Sequence, residues 1–568
     1  MTNQRIASWL FLLLLILTSL LLFAVRVPPW GYVPVQSLLI FGNLPLFASL
    51  YTVWLTLLIL LVWHVRTARE TAVLVNLFVL VYVGAVILAT SYGAGEDWLK
   101  AADPVQIQKT GRIDFLGYRD FPALALVGAM VAAIANAGIL TLRTPLLSSW
   151  LISTSTLLFV CYSRFIPSRP LAALAVLVAV QSNLVMSRFY LHPIYLGVLL
   201  YVALMSVVLA RKQSLGIRER LLAILIMAGV TMTHFVSSVV GLLLLTAFPL
   251  ENWWHKRSQI VSHYVVVLGF TLITMWGVYW TVQTFRNVVG YLPEIVTRFQ
   301  QGIAFFWISR VARANTEGLP FWVTMVQMFW WITVYFGGGV VALRNVFIRS
   351  SLHGSTSGFS GAYVLLAAAS VLGTFASPGG YDFYRFILYG SFLAAPLVLH
   401  FLCSRPGKIV SSTVSAVFLT LSFPSLVAHN SSISQQATHL SEATAAQFLG
   451  REVEGMEETT KLFGGYTGPD KVIYYAPGLI PNMVNFPAPP TDVKDFEEVR
   501  TLWRDYANSF TREANRGEGS VLIFDYQERV YWRHLLRVSE DDELWDKVRQ
   551  DLGKANLFYD AGRVQIYR

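Results

Sequence analysis

Residues 221–250, LLAILIMAGVTMTHFVSSVVGLLLLTAFPL, are almost wholly apolar and lie between two basic clusters. Arg211, Lys212, Arg218 and Arg220 precede the segment, and His255-Lys256-Arg257 follow it. Basic loops of membrane proteins collect on the cytoplasmic side, so both flanks read as facing the same compartment. The segment between them must then cross an even number of times. Thirty residues are too few for two spans of about 20 residues each. Two short helices meeting near TMTHFVSS (231–238) satisfy both demands. Thr233, His234, Ser237 and Ser238 are thereby expected at a hairpin tip below the outer surface. That arrangement predicts an outward-facing cavity cut into a helical membrane domain.

The rest of the chain agrees with a membrane setting. Of its 568 residues, 55% are hydrophobic and 13% charged, and the mean hydropathy is +0.54. Soluble domains carry roughly 25% charged residues. Runs of about 20 apolar residues match a hydrocarbon core roughly 30 Å thick. Such runs are 9–26, 45–64, 71–91, 121–141, 261–283, 320–342, 359–377, 385–403 and 409–427, and 145–163, 169–186 and 193–210 are further candidates. The first follows Arg5 and reads as an anchor, because no small-residue cleavage site precedes Pro28-Pro29. The predicted fold class is a polytopic α-helical membrane protein of about 11–13 membrane helices, followed by an extracytoplasmic α/β domain.

Charge divides the chain at the same place. Residues 428–568 hold 16 Lys+Arg and 22 Asp+Glu, whereas residues 1–427 hold 27 and 11. A basic membrane part is what cytoplasmic loops rich in Lys and Arg produce, and nucleic acid is not the implied partner. With the N-terminus inside, the third span delivers residues 92–120 to the outer face, and the last span delivers residues 428–568 there. The sequon Asn430-Ser431-Ser432 falls in that compartment. Arg143 and Arg211 both read as cytoplasmic, yet three candidate helices separate them. One of the three is therefore expected to be re-entrant or half-crossing, as backbone lining a cavity permits. Within 428–568, KVIYY (471–475), SVLIF (520–524) and RVQIYR (563–568) are strand-like, 493–515 and 541–553 are patterned as helices, and 477–490 is a Pro-rich loop.

The outer loop GAGEDWLKAADPVQIQKTGRIDFLGYRDFP contains five acids: Glu96, Asp97, Asp103, Asp114 and Asp120. A carboxylate at the mouth of an apolar cavity is partly desolvated, which makes it a stronger base. An adjacent pair can also share a divalent cation. The alternative is a solvated loop with ordinary surface charge. GAGEDW lacks the third glycine of a dinucleotide fingerprint, and neither a P-loop nor a Cys-x-x-Cys pair is present. Cys161 and Cys403 both sit in apolar runs and build no disulfide framework.

The arrangement resembles the GT-C superfamily of integral-membrane glycosyltransferases, such as dolichyl-phosphate-mannose-dependent protein mannosyltransferases and their archaeal relatives. In that family an acidic residue or pair opens the first outer loop. A short helix with the pattern I-x-x-x-G follows, and an aromatic-Pro element leads back into the membrane. The corresponding residues here are Glu96-Asp97, Ile107 to Gly111, and Tyr118 to Pro122. Many relatives place a histidine four residues after the acid, where this chain has Ala101, and two extra apolar segments lie upstream. TMTHFVSS resembles a mid-chain Thr-His element, and GGYDFYRFILYGSFLAAP (379–396) places Arg385 at the start of a late helix, a recurrent family feature. NLFYDAGRVQIYR (556–568) resembles the endings of archaeal relatives.

The resemblance implies transfer of a sugar from a polyprenyl-phosphate donor to a glycan, lipid or protein acceptor at the outer face. Asp97, or Glu96, would be the base, with a divalent metal at that pair left open. Arg385, Arg188 and His234 would hold the donor phosphate; Asp103, Tyr118, Asp120, Tyr381 and Asp382 would line the acceptor side or cavity. His192, in SRFYLHP (187–193), falls near the same face. A transporter or flippase and a polymerase of lipid-linked repeats are the competing readings. Transporters are often built from two related halves with a site at the midplane, and no such halves are visible here.

Overall fold

The computed structural model describes residues 67–89, 97–112, 121–166, 168–182, 191–209, 215–255, 261–281, 329–330, 332–347, 355–376, 381–403 and 440–452, five short strands, and positions 501 and 550. The expected spans 9–26, 45–64 and 409–427, the strand 471–475, most of the helices 493–515 and 541–553, and the sequon lie outside these residues.

Helix α1 (Ala68–Ala89) begins at a capping box. The backbone N–H of Thr67 donates to Glu70 Oε2 at 3.1 Å, and that of Glu70 donates to Thr67 Oγ1 at 3.2 Å. The Thr-x-x-Glu spacing therefore starts the helix three residues before the apolar run expected from residue 71. Helix α2 (Asp97–Thr110) occupies the acidic loop and stops at Gly111, whose φ of +67° suits a residue without Cβ. The Gly111 N–H donates to Ile107 O at 2.8 Å, so the I-x-x-x-G pattern is a helix end.

The span expected over 121–141 is shorter than expected. Helix α3 (Ala123–Ala135) closes at Asn136, which adopts a left-handed conformation, and α4 (Ile139–Phe165) starts afresh. At 27 residues α4 is long and apolar enough to cross a membrane. Next come α5 (Arg169–Gln181), α6 (Pro193–Leu209), α7 (Ile217–Thr233), α8 (Phe235–His255) and α9 (His263–Tyr279). A π-helical turn at Ile332–Phe336 leads into α10 (Gly337–Phe347), followed by α11 (Ser355–Ala376) and α12 (Tyr381–Cys403).

Contacts identify the two ends of the bundle. The ring of Phe165 at the end of α4 lies 4.8 Å from those of both Phe359 and His400, tilted against each. Leu209 of α6 and Phe248 of α8 crowd Gly358 at the start of α11. Phe121, His192 and the α7–α8 junction meet at the opposite end. Helices α4 and α6 run in the same direction, since Phe165 and Leu209 at their ends both reach the start of α11. Arg143, near the start of α4, therefore lies toward the His192 end, whereas Leu209 lies at the other. The sequence reading had placed Arg143 on the same side as Arg211.

Backbone irregularities in this apolar bundle find donors from side chains. Pro396, inside α12, cannot bond the carbonyl of Phe392. The hydroxyl of Tyr162 on α4 donates to that carbonyl at 2.6 Å. Tyr363 on α11 donates to Tyr335 O in the π-turn, also at 2.6 Å. Close approaches rely on absent Cβ atoms: one added at Gly338 of α10 would stand 2.6 Å from Ala394 Cβ on α12. Helix α9 buries only Val265 and Gly269 and exposes Tyr264, Val267, Phe270, Met275 and Tyr279. A helix that is apolar on its outer face as well suits lipid, and the protein is a membrane protein.

Beyond α13 (Leu440–Glu452), the strands β1 (Lys461–Gly464), β2 (Met483–Asn485), β3 (Ser520–Asp525), β4 (Leu557–Asp560) and β5 (Val564–Tyr567) form one sheet in the order β2-β1-β3-β5-β4. Strands β2, β1 and β3 are parallel, while β5 joins β3 and β4 antiparallel. Two of the expected strands are β3 and β5. The Pro-rich 477–490 loop contains β2, and LFYD forms β4.

Because α4 runs the length of the bundle, Gly138→Cys and Ser168→Cys, each in a chain lacking its native cysteines, are expected to react with a membrane-impermeant maleimide from opposite faces. Labelling of both from the same face would contradict a full crossing.

Candidate functional site

The site is built around the break between α7 and α8. His234 is extended (φ −166°, ψ 135°) between two helices, a conformation open to any residue. The His234 N–H reaches Val230 O only at 3.5 Å, and the Thr233 hydroxyl reinforces that carbonyl at 2.7 Å. Ser238 donates its hydroxyl to His234 O at 3.0 Å, and its N–H bonds the same oxygen at 3.1 Å. The run of Thr and Ser around His234 thus supplies the local donors that an interrupted helix needs where water is absent. Thr231, Thr233, His234, Ser237 and Ser238 are all buried.

Three elements close on this junction. The His192 ring lies 6.1 Å from that of His234, and Phe121 lies 6.2 Å from it on another side. His192 also caps α6: its Nδ1 accepts the N–H of Ile194 at 3.1 Å, with Pro193 occupying the first helical position. An accepting Nδ1 places the proton of the neutral ring on Nε2. Gly197, one turn into α6, allows the closest approach; a Cβ there would stand 3.0 Å from Ser237 Cβ and 3.2 Å from Thr233 Oγ1. On the fourth side, Tyr389 of α12 shares a hydroxyl–hydroxyl hydrogen bond with Ser237. The Tyr201 ring of α6 meets Tyr389 edge-on at 5.1 Å.

The sequence-predicted residues map as follows. His234 and His192 are together and buried, 5% and 6% exposed. Arg385 stands four residues before Tyr389 on α12, at nearly the same angular position and one turn nearer the helix start, where Tyr381 and Asp382 open the first turn. Asp97 is the first residue of α2. Asp103 belongs to that helix too and is buried, as are Trp98, Lys100, Ala101 and Ala102. The first two turns of α2 are therefore packed against protein and do not form a solvated loop. Pro104 lies against Gly128 of α3, and Gln108 donates to Ala129 O at 3.2 Å, which docks α2 on α3. Glu96, Arg188, Tyr118 and Asp120 lie outside the described residues. Among the described residues no group of three or more His, Cys, Asp or Glu side chains could hold a metal.

Sequence reasoning missed Tyr389, Tyr201 and Gly197. Tyr389 had a legible signal, since it follows Arg385 by one helical turn within the motif already singled out. Gly197 had none, because its role depends on what faces it.

No protein-family model and no curated protein matches the chain. Solved structures do. The Archaeoglobus fulgidus oligosaccharyltransferase complexed with Zn and sulfate is 11% identical, over 82% of this chain and 70% of that one, with a TM-score of 0.47. The same enzyme tethered to an acceptor peptide containing an NVT sequon gives 10%, 88%, 74% and 0.48. ArnT from Cupriavidus metallidurans bound to undecaprenyl phosphate gives 13%, 86%, 97% and 0.38. Each of these three TM-scores is below 0.5.

His192 tests the cap. Replacing it with alanine is expected to cost about 0.5–2 kcal/mol, and His192→Asn, which keeps a side-chain acceptor, less than half of that. Unfolding in detergent, followed by tryptophan fluorescence, measures both.

Proposed function

We propose that the chain is a membrane glycosyltransferase that moves a sugar from a polyprenyl-phosphate-linked donor to an acceptor on the outer face. The observation that carries this reading is the meeting of four separate segments at one end of the bundle. These are Phe121, which ends the acid-bearing segment; His192; His234; and the part of α12 that carries Arg385 and Tyr389. The buried first turns of α2 favour a built element at Asp97 over a solvent-facing loop.

The chemistry follows from charge. A donor of this class holds its lipid in the bilayer and its phosphate at the boundary. An acceptor hydroxyl attacks the sugar carbon, the sugar–phosphate bond breaks, and the lipid phosphate leaves with the bonding pair. Asp97, with Glu96 beside it, accepts the hydroxyl proton. Arg385 offers a bidentate guanidinium to the phosphate as its charge grows, with Arg188 and His234 as further donors. Arg385 lies in the first turns of α12, where its guanidinium can either reach the polar interface or serve a lipid phosphate there. Tyr118, Asp120, Tyr381, Asp382 and Asp103 would shape the acceptor side. A divalent cation at Glu96–Asp97 would help to position the acceptor oxygen. In this reading the membrane domain is multi-pass with a cytoplasmic N-terminus, and residues 428–568 form an extracytoplasmic α/β domain over the site.

The test is transfer of radiolabelled sugar from polyprenyl-phosphate sugars by membranes containing the chain. Asp97→Asn combined with Glu96→Gln is expected to lower transfer by at least about 100-fold, with protein level and detergent unfolding unchanged. Full transfer by the double variant would remove the catalytic assignment.

A further inference from the structure

We propose that Ser237 and Tyr389 are the positioning pair of the donor-phosphate site: the bond between their hydroxyls sets the spacing of the two backbone segments that carry His234 and Arg385. The inference rests on the phosphate-binding role assigned above to those two residues and names what holds them together.

The bond joins residues 152 apart in sequence, on α8 and α12, and both side chains are wholly buried. Each end is one helical turn or less from a phosphate-binding candidate: Ser237 follows His234 by three residues, and Tyr389 follows Arg385 by four. The segment at His234 is the weakest part of its own backbone, since a single extended residue separates α7 from α8 and its N–H bond is long. Hydroxyls of Thr233 and Ser238 repair the break locally but do not fix where the tip sits relative to α12. The Ser237–Tyr389 bond does.

Two neighbours keep the bond from relaxing. The Tyr201 ring braces Tyr389 edge-on, and Gly197 brings the α6 backbone against Ser237. Both hydroxyls are wholly buried, so deleting either one removes the direct bond between α8 and α12 at a place closed off by packed side chains. Phenylalanine fills nearly the same volume as tyrosine, and alanine nearly that of serine. Tyr389→Phe and Ser237→Ala therefore probe the bond with little disturbance of packing.

The experiment uses the full chain in detergent with two readouts. Polyprenyl monophosphate without sugar reports binding of the lipid phosphate alone, and the sugar-charged lipid reports transfer. Wild type, Tyr389→Phe, Ser237→Ala and the double variant are compared, with Arg385→Gln as the reference for a lost phosphate contact. Each single variant is expected to weaken polyprenyl-phosphate binding and raise the donor KM by about 5- to 10-fold, leaving the acceptor KM unchanged. The double variant is expected to be no worse than either single one. Additive losses, unchanged donor binding, or donor and acceptor KM rising together would overturn the pair. If wild type binds polyprenyl phosphate with this non-additive pattern but transfers no sugar, the glycosyltransferase reading fails and the positioning pair stands. If transfer occurs and the variants do not alter donor binding, the pair fails alone. If polyprenyl phosphate does not bind wild type at all, both fail.

Discussion

In an apolar interior, a carbonyl that loses its helical partner must find another donor within the protein, and this requirement organises the bundle. An unsatisfied group costs several kcal/mol in hydrocarbon. Three interruptions among the described residues show how the need is met. The break at His234 draws on Thr233 and Ser238, Pro396 on Tyr162, and the π-turn at Ile332–Phe336 on Tyr363. The first donors are local and the other two come from neighbouring helices. Irregular backbone is thus kept where a hydroxyl can reach it, and one of these places is the junction on which His192, Phe121 and α12 converge.

How much was legible in the residues depended on the kind of constraint. The break in 221–250 followed from its length taken together with its two basic flanks, although α7 and α8 reach into those flanks, over 217–233 and 235–255. It is observed at His234 itself. A short helix over Ile107 to Gly111 was implied by the resemblance, and the structure shows the physical use of that glycine, a left-handed helix end at φ +67°. Charge was a poorer guide: Arg143 looked like a cytoplasmic flank, yet it is wholly buried and lies toward the opposite end from Leu209. Positive-inside reasoning applies to loop residues, and Arg143 is inside a helix. Strands of three or four residues in 461–464, 483–485 and 557–560 carry too little pattern to stand out from loops.

Sequence also distinguished residues that do chemistry from those that hold them only in part. Arg385, Asp97 and His234 were visible because charged or titratable groups beside apolar runs are rare and expensive. Ser237 was visible at the expected hairpin tip and Tyr389 lay within a motif already singled out, but their pairing was not legible, because a hydroxyl in a membrane helix gives no hint of its partner 152 positions away. Gly197 is the extreme case: what matters is the atom it lacks, and only the facing Ser237 and Thr233 reveal why.

Tyr162 has a consequence for the mechanics of α12. Proline inside a helix usually creates a hinge, since the open carbonyl leaves the next turn free to bend. Here a phenol from α4 plugs that opening, and three helical positions before the Phe392 carbonyl Tyr389 is fastened to α8. The stretch between the two fastenings cannot flex independently. Movement of α4 or α8 at these contacts is therefore passed to the same short stretch of α12, residues 389–392.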